Sequence, residues 1–547
     1  MILQEQSSMP KKKSKKTSNN KLQTKKSKVS LDESFNKFFQ YRYLGLVIAV
    51  LYFVALLIVS LLYHKVGDYG IETDFFWGYV PNAKSFINGD LQIDPFRGPL
   101  YPMVLGLVNL IISNYFYSGI IIGVLSASIL IFLTFELVKR IFSPAVSFFV
   151  SLLLASNAIF VQYTYSAGTD MMFNVLAAAT LFFFFKEKEL NYKNLLIAAV
   201  LGGLSYLTRY NGVFLLGFVF IILFVNYWNN NWFQRIKSSI VFVAVFFLTF
   251  TPWGIYCLSK KGSFFYNENY KNIAYELYGK GKISWDQFWF SESTSFTSLF
   301  DVIGRDPFLF ISTTIGNIGE HLILDMERLM GWYVGGFIVL GLILLLISNP
   351  FKNWKSRETG YYLSNLFFFA LLTLVFYSER FSIFLISFYS VIAIQIFFSE
   401  KFALNKRIPL KLGYLIAISF IAVTLNNSIS YNSSRINSGP QELLVLQNWY
   451  DSNIPESERG KKIAARKPHV AYYLGMDFAL LPMTDSYEEL IEKLRQNNVD
   501  YLYFSPIEAG LRREFKSLLN PKSSHPGLKV VVFFNHPPSV LYRIIYN

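Results

Sequence analysis

Long apolar runs alternate with short polar turns through most of this chain, and the pattern predicts membrane-spanning helices. The first run, from Leu44 to Tyr63, contains twenty residues and no charge. It matches the about 20 residues with which an α-helix crosses about 30 Å of hydrocarbon. Ten further apolar stretches bring the predicted number of spans to eleven: 117–137, 143–162, 171–185, 195–208, 212–227, 239–258, 333–348, 361–377, 382–398 and 412–428.

The last part of the chain, residues 431–547, has a different pattern. Glu442 to Trp449 and Ser486 to Gln496 have helical periodicity, whereas three later runs have the composition of strands: Val499 to Phe504, Lys529 to Phe534 and Val540 to Ile545. The pattern therefore predicts an all-α polytopic membrane protein with a C-terminal soluble α/β domain. The expected divisions are a tail at 1–43, a transmembrane domain at 44–430 and the soluble domain at 431–547.

Composition supports a membrane protein. Hydrophobic residues make up 53% of the 547 residues and charged residues only 16%, whereas soluble proteins have about 25% charged residues. This balance excludes a disordered chain, a collagen-like chain and an ordinary cytosolic enzyme. The single cysteine, Cys257, excludes an internal disulfide framework and a cysteine-based zinc or iron–sulfur site.

The net charge of +15 is concentrated at the start of the chain. Residues 1–43 contain eleven Lys and Arg residues against three acids, with the basic run at 11–16 set among Ser, Thr, Asn and Gln. This composition predicts a disordered cytoplasmic tail that fixes topology and is compatible with contact to anionic lipid. Nucleic acid is not an expected partner, because no stacking aromatic residues interleave the lysines.

The basic loops predict the orientation of the chain. With the tail inside and eleven spans, every short basic loop falls on the cytoplasmic side. Residues 65–98, residues 259–332 and the C-terminal domain then lie outside a cell membrane, which we expect to be a bacterial inner membrane. The aromatic-rich segment 259–332 is expected to be a long loop without clear regular structure, either an interfacial aromatic belt or a gate for acceptor or lipid.

Charged residues are almost absent from the predicted helix centres and collect on the outer side. Seven lie in outer segments or at outer helix ends: Asp74, Asp94, Arg97, Asp170, Arg209, Glu379 and Arg380. Several of them have an ordinary structural explanation, such as helix capping by Asp170 or an arginine extending to the interface. Together they predict a polar site that opens outward. The alternative function is a transporter or flippase for a lipid-linked or amphipathic substrate, which would place ionisable groups near the midplane. A third possibility is a non-catalytic membrane scaffold.

Several short elements resemble the polytopic GT-C glycosyltransferases, in the branch of the protein O-mannosyltransferases and the lipid A aminoarabinose transferase. An aspartate, Asp74, follows the first span, and the element Arg-Gly-Pro-Leu-Tyr-Pro follows at 97–102. Thr-Asp-Met-Met-Phe at 169–173, Gly-Leu-Ser-Tyr-Leu-Thr-Arg-Tyr-Asn-Gly at 203–212 and Glu-Arg-Phe at 379–381 complete the set. The resemblance covers about residues 44–430.

The resemblance implies a transferase that uses a polyprenyl-phosphate sugar on the outer membrane face. It implies Asp74 as general base, Asp170 as the second acidic residue and Arg97 as a ligand of the donor phosphate. Tyr79, Tyr101 and Glu379 are the expected substrate contacts, and a divalent metal ion is a candidate cofactor. Protein mannosyltransferases have Asp-Glu at the first site, where this chain has Asp74-Phe75, so neither a mannosyl-to-protein assignment nor a metal follows directly.

The chemistry of the residues agrees with this implication. Transfer from a phosphate ester needs a carboxylate to take the proton of the acceptor hydroxyl, and cations to stabilise the leaving phosphate. Asp74 supplies the first role, and Arg97, Arg209 and Arg380 supply the second, because guanidinium binds phosphate in a bidentate way. A single attack at the anomeric carbon would invert configuration.

Two further expectations concern the acids and the histidines. If the two carboxylates are close together, we expect one pKa to rise toward neutrality. The five histidines show no paired ligand spacing, and a metal site at Glu320, His321 and Asp325 is not favoured. The expected acceptor is a lipid, glycan or protein, and the transferred group a hexosyl or pentosyl sugar.

Overall fold

The computed structural model describes residues 37–67, 69–347, 355–399, 409–484 and 486–546. The basic run of the tail lies outside these residues. So do residues 352–354 and 401–408, which belong to basic segments on which the predicted orientation partly depends. Residues 42–547 form one compact unit, and all contacts described below lie within it.

Each predicted apolar stretch contains helix. The bounds are Leu44–Leu62, Tyr115–Ile141, Pro144–Ser156, Ala158–Tyr165, Asp170–Phe185, Tyr192–Thr208, Tyr210–Val225, Trp232–Lys261, Trp332–Ile347, Arg357–Leu372, Glu379–Phe398 and Leu410–Asn437. A further apolar helix, Leu100–Ile112, was not counted among the eleven. Helices of this composition confirm a multi-pass membrane protein.

The predicted number of eleven spans is not confirmed. By length and composition, five helical segments of the described chain can cross a membrane, or six if the bent pair Pro144–Ser156 and Ala158–Tyr165 forms one span. The two helices of that pair meet at Asn157, where the chain bends by 61°. The Asn157 side chain accepts hydrogen bonds from the backbone N–H groups of Ile159 and Phe160, so it ends one helix and caps the next. Other apolar helices, such as Asp170–Phe185, are 17 residues or shorter.

The expectation of a loop without regular structure at 259–332 is wrong. The segment contains the helices Tyr270–Ala274, Trp285–Ser291, Leu299–Arg305 and Pro307–Leu324, with π-helical turns at Tyr275–Gly279 and Asp325–Leu329. Its aromatic and aliphatic residues form a small core around Phe288, Phe296 and Leu277. Burial of these side chains against one another stabilises the short helices, which would be marginal alone.

The C-terminal region contains helices and a small sheet, as the sequence pattern predicts. Its mixed sheet has the order β2-β1-β3-β5-β4, with strands β1 Lys462–Ala465, β2 Asp477–Leu480, β3 Tyr501–Phe504, β4 Leu528–Asn535 and β5 Pro538–Ile544. The last three confirm the predicted strands, whereas β1 and β2 were missed. The helices are Gln441–Asn453, His469–Leu474, Tyr487–Gln496 and Pro506–Leu511. The preceding helix Leu410–Asn437 continues past residue 430.

The domain packs directly on the segment that follows the first long helix. The Tyr69 hydroxyl donates to Glu442 Oε1 at 2.5 Å, and the Tyr473 hydroxyl donates to the carbonyl of Val66. This segment contains the helix Ile71–Asp74, a π-helical turn Phe75–Tyr79 and the helix Val80–Ile87. The Phe76 ring lies 4.8 Å from that of Tyr472. The sheet domain is therefore placed beside Asp74.

Candidate active site

The predicted outer charges form one alternating chain of carboxylates and guanidinium groups. Its order is Asp94, Arg97, Asp74, Arg380, Asp170 and Arg209. Arg97 donates to Asp94 Oδ2 at 2.7 Å and to Asp74 Oδ1 at 3.0 Å. Arg380 joins the two halves, since its Nη1 donates to Asp74 Oδ2 at 2.8 Å and its Nε to Asp170 Oδ1 at 3.0 Å. Arg209 donates to the same Asp170 oxygen.

Asp74 is held by the turn of helix that carries it. The preceding Thr73 donates its hydroxyl to the carbonyl of Tyr69, and the following Phe75 is buried. The ring of Phe75 packs so closely on Gly119 that a Cβ there would come within 2.7 Å of it. Asp74 is therefore anchored on both sides while its own side chain remains 34% exposed. The Asp74 carboxylate is thus more exposed to solvent than that of Asp170.

Arg97 is positioned by the proline-rich element. Asp94 Oδ1 accepts hydrogen bonds from the backbone N–H groups of Phe96 and Arg97, which closes a tight turn. A Cβ on Gly98 would lie 1.9 Å from the carbonyl oxygen of Leu207, so only glycine allows this element to reach the helix that leads to Arg209. This contact explains the glycine of the Arg-Gly-Pro element.

Asp170 is the most buried of the three carboxylates in this series of ion pairs, since its side chain is only 2% exposed. It begins the helix Asp170–Phe185, and the residue at the N-cap position, Thr169, makes no capping hydrogen bond with its side chain. The capping explanation for this Thr-Asp pair is therefore wrong. A buried carboxylate needs charged partners, which here come from Arg209, just after the helix Tyr192–Thr208, and from Arg380.

The expected rise in pKa is wrong for Asp74. Burial raises the pKa of this carboxyl, but Arg380 and Arg97 outweigh burial and lower it to about 2. The reason is that a guanidinium lies between the two carboxylates, so that each carboxylate contacts opposite charge. Asp74 is consequently ionised at neutral pH. Burial lowers the pKa of Arg97, but Asp94 and Asp74 together raise it above its ordinary value.

The three expected substrate contacts occupy different places. Tyr79 is buried beneath Arg97, whose guanidinium lies 5.4 Å from the ring centroid. Tyr101 stands behind Tyr79 in an edge-to-face pair at 4.9 Å and is itself fully buried. Glu379 faces Arg328 at 3.7 Å. Tyr79 therefore contacts the series of ion pairs, whereas Tyr101 contacts Tyr79. Glu379 pairs with Arg328, which does not belong to that series.

Two residues beside the site had no predicted role. Asp94 was included among the predicted outer charges without a role of its own. Its position three residues before Arg97, in a proline-bounded turn, was the signal that could have indicated a contact with Arg97. Lys467 was missed, because it lies in the C-terminal region, far along the chain from the other residues of the site. Its amine donates to the carbonyl of Tyr69 at 3.1 Å, the same carbonyl that accepts from Thr73.

The arrangement does not fit a divalent metal ion. Both oxygens of Asp74 accept from guanidinium groups, and both oxygens of Asp170 face Arg380. A dication would have to displace arginines whose charge opposes it. In the part of the chain that the structure describes, no group of three or more His, Cys, Asp or Glu residues has metal-binding geometry.

One segment of this chain matches a known protein family, and its fold resembles solved structures. Residues 96–256 match the family model described as dolichyl-phosphate-mannose-protein mannosyltransferase. This match includes Arg97, Asp170 and Arg209, whereas Asp74 and Arg380 lie on either side of it. No curated protein matches the sequence.

Two solved structures illustrate the likeness of fold. ArnT from Cupriavidus metallidurans, bound to undecaprenyl phosphate, is 12% identical with a TM-score of 0.51, covering 92% of this chain and 99% of ArnT. The archaeal oligosaccharyltransferase AglB from Archaeoglobus fulgidus, in complex with an inhibitory peptide and a dolichol-phosphate, is 14% identical with a TM-score of 0.55. That match covers 86% of this chain and 70% of AglB. The predicted resemblance is therefore confirmed: residues 96–256 match the mannosyltransferase family model, and the chain has the fold of the GT-C glycosyltransferases ArnT and AglB.

Proposed function

We propose that this protein transfers a hexosyl or pentosyl sugar from a polyprenyl-phosphate donor to a lipid, glycan or protein acceptor on the outer face of the membrane. The observation that carries the proposal is the chain of three aspartates and three arginines around Asp74. It combines a carboxylate that can accept a proton with cations that can bind a leaving phosphate. The family match and the fold support this class of reaction.

The ion pairs indicate how donor binding would activate Asp74. The donor phosphate is an anion and competes with Asp74 for the guanidinium groups of Arg97 and Arg380. Each pairing that Asp74 loses removes a cause of its low pKa and makes it a stronger base. Asp170 is buried and keeps Arg209, so it holds the arginine cluster together while Asp74 is released.

Transfer then proceeds in one displacement. Asp74 accepts the proton of the acceptor hydroxyl, and the hydroxyl oxygen forms a bond to the anomeric carbon. The bond from that carbon to the phosphate oxygen breaks, and the electron pair leaves with the polyprenyl phosphate. Arg97, Arg209 and Arg380 stabilise the charge that grows on the phosphate. Attack opposite the leaving group inverts the anomeric configuration.

The location of the charges argues for this reaction over the alternative of a transporter or flippase. Asp74 ends a short helix, Asp170 begins one, Arg209 follows one, and Arg380 lies at the start of the segment Glu379–Phe398. None of the four lies in the middle of a long apolar helix. This placement supports a site at one membrane surface rather than a path through the midplane.

Orientation is tested with cysteine labelling in intact cells of a bacterial host, after replacement of the native Cys257. We propose that the C-terminal domain lies outside. Ser523→Cys, at a partly exposed position between the exposed residues 522 and 524, should react with a membrane-impermeant maleimide added outside. Lys188→Cys, exposed between two helices, should react only after permeabilisation. Labelling of both variants from the same side would contradict the proposed topology.

The function itself is tested by mass spectrometry of surface lipids, glycans and proteins from cells with and without the gene. Asp74→Asn should insert normally and lose about 10²-fold or more in turnover, because the neutral amide cannot accept the proton. Asp90→Asn is the matched control, since this exposed aspartate lies in the same outer segment and contacts Gln92. Transfer by well-inserted Asp74→Asn at the wild-type rate would remove Asp74 from the role of base.

A further inference from the structure

Lys467 lies at the carboxyl end of a central parallel strand. β1 ends at Ala465 and pairs in parallel with β2 on one side and β3 on the other. After β1 the chain first forms β2 on one side of this strand and later forms β3 on the other side. In open α/β sheets, ligands bind at the carboxyl ends of the strands where such a change of direction occurs. Here this edge faces the segment that contains Asp74.

A short hydrogen-bonded path joins Lys467 to the active site. The Lys467 amine donates to the Tyr69 carbonyl at 3.1 Å, and Thr73, next to Asp74, donates to the same oxygen. The Lys467 side chain is half-buried, so part of it remains accessible. The Tyr69 ring also packs on His469 at a centroid distance of 4.6 Å. The outer segment thus fixes the position of a cation that belongs to the other domain.

The distribution of charge shows that this cation is not neutralised directly. Within the active-site chain, three arginines are matched by three aspartates, and the neighbouring Arg466 pairs with Asp286. Among the described residues, no carboxylate lies within ion-pair distance of Lys467. Burial lowers the pKa of Lys467 and so does Arg466, whereas the charges of Asp286, Asp74 and Glu508 oppose them. A half-buried amine in this position gains most from an anionic ligand.

We infer that Lys467, at the carboxyl end of β1, binds a phosphate group on the C-terminal-domain side of Asp74. The inference rests on the proposed function and adds a cation to it from a second domain. The phosphate belongs either to the polyprenyl-phosphate donor or to an acceptor that itself carries phosphate. In both cases the ammonium group supplies charge that the balanced aspartate–arginine chain does not.

A structural role alone would make different predictions. If Lys467 only tied β1 to the carbonyl of Tyr69, its loss would lower thermal stability and leave phosphate affinity unchanged. Lys467→Met removes the charge and keeps the length of the side chain, whereas Lys467→Arg keeps the charge. Lys462→Met is the matched control, because Lys462 lies at the opposite end of the same strand and donates to the carbonyl of Asn497.

The test uses the full-length protein in nanodiscs, with undecaprenyl phosphate as the first probe. If Lys467 contacts the donor phosphate, Lys467→Met should weaken binding about tenfold, Lys467→Arg should restore most of it, and Lys462→Met should match wild type. The second probe is inorganic phosphate added to protein saturated with undecaprenyl phosphate. If Lys467 contacts an acceptor phosphate, only the affinity for this second probe falls in Lys467→Met.

Two results would overturn the assignment. Unchanged affinity of Lys467→Met for both probes, while wild type binds undecaprenyl phosphate, would refute the role of Lys467 and leave the proposed function intact. If wild type itself binds no undecaprenyl phosphate, the proposed function fails and the inference falls with it. Thermal unfolding of each variant, measured in parallel, shows whether a loss of affinity follows from a loss of fold.

Discussion

Two aspartates, Asp74 and Asp325, have opposite surroundings. Asp74 contacts two guanidinium groups and is 34% exposed. Asp325 is completely buried and accepts hydrogen bonds from the hydroxyl groups of Tyr389 at 2.8 Å and Tyr377 at 3.1 Å. One carboxylate is therefore partly exposed and contacts positive charge, whereas the other is buried and contacts neutral hydroxyls.

The surroundings determine the charge of each carboxyl group. Burial raises the pKa of Asp325 to about 6, although hydrogen bonds from Tyr389, Ser382 and Tyr377 lower it. The pKa of Asp74 is lowered to about 2 by Arg380 and Arg97. The comparison teaches that an acidic residue near a membrane surface is not a functional site by itself. The type of its partners decides whether it is a permanent charge or a titratable core group.

The largest expected effect comes from removing the arginine that joins the two halves of the site. Arg380→Met leaves Asp74 with Arg97 alone and the buried Asp170 with Arg209 alone. Removing one partner of a buried ion pair costs about 3–5 kcal/mol. We therefore expect a large fall in the thermal unfolding temperature of the detergent-solubilised protein, together with loss of transfer.

Arg328→Met provides the matched control for this prediction. Arg328 is 56% exposed and pairs with Glu379 at 3.7 Å, so its removal should change stability by about 1 kcal/mol or less. Equal unfolding temperatures for the two variants would show that the pairs of Arg380 are energetically no different from a surface ion pair.

The sequence predicts the members of the site better than their arrangement. Charges are scarce in an apolar chain, so Asp74, Arg97, Asp170, Arg209 and Arg380 stood out by location alone. The pairing was not predictable, because Arg380 contacts residues 306 and 210 positions away. For the same reason the expected effect on the pKa of Asp74 had the wrong sign: proximity of two acids could be guessed, but the arginine between them could not.

The fold was predictable where the periodic pattern is long. The apolar helices follow from long apolar runs, and β3, β4 and β5 follow from runs rich in aromatic and β-branched residues. In contrast, β1, Lys462–Ala465, contains only one such residue, Ile463. The number of spans was not predictable, because a single residue such as Asn157 bends a continuous apolar stretch by 61°. Lys467 was missed since its partner Tyr69 lies 398 positions earlier in the chain.

The second prediction concerns the pH dependence of stability that Asp325 contributes. Its folded pKa of about 6 exceeds the ordinary value of 3.8, so the folded state binds more protons between these values. Stability from this group is therefore greatest at low pH and is lost as pH rises through about 6. Asp325→Asn removes the titration, and wild type should lose about 1–2 kcal/mol relative to this variant between pH 5 and pH 8.

This measurement also tests the comparison of the two aspartates. Asp74 has a lowered pKa, so its contribution to stability is lost only as pH falls below its ordinary range toward about 2. Asp74→Asn should accordingly show the same pH dependence as wild type between pH 5 and pH 8. Parallel unfolding curves for wild type and Asp325→Asn across that range would show that Asp325 is not the titrating group.

The smallest expected effect tests how tightly Arg97 must be held against Asp74. A Cβ on Gly78 would lie 2.8 Å from Arg97 Nη1, and the flexible end of the arginine can move away. Gly78→Ala should therefore fold normally, raise the donor KM and lower kcat, with kcat/KM falling about tenfold. Gly316→Ala is the control, since nothing lies within 4 Å of its added Cβ, and donor kinetics should match wild type. Wild-type donor kinetics in Gly78→Ala would mean that the exact position of the Arg97 guanidinium does not limit transfer. The catalytic difference between the Asp74 and Asp325 regions would then rest on Arg380 and Arg209 rather than on the proline-rich element.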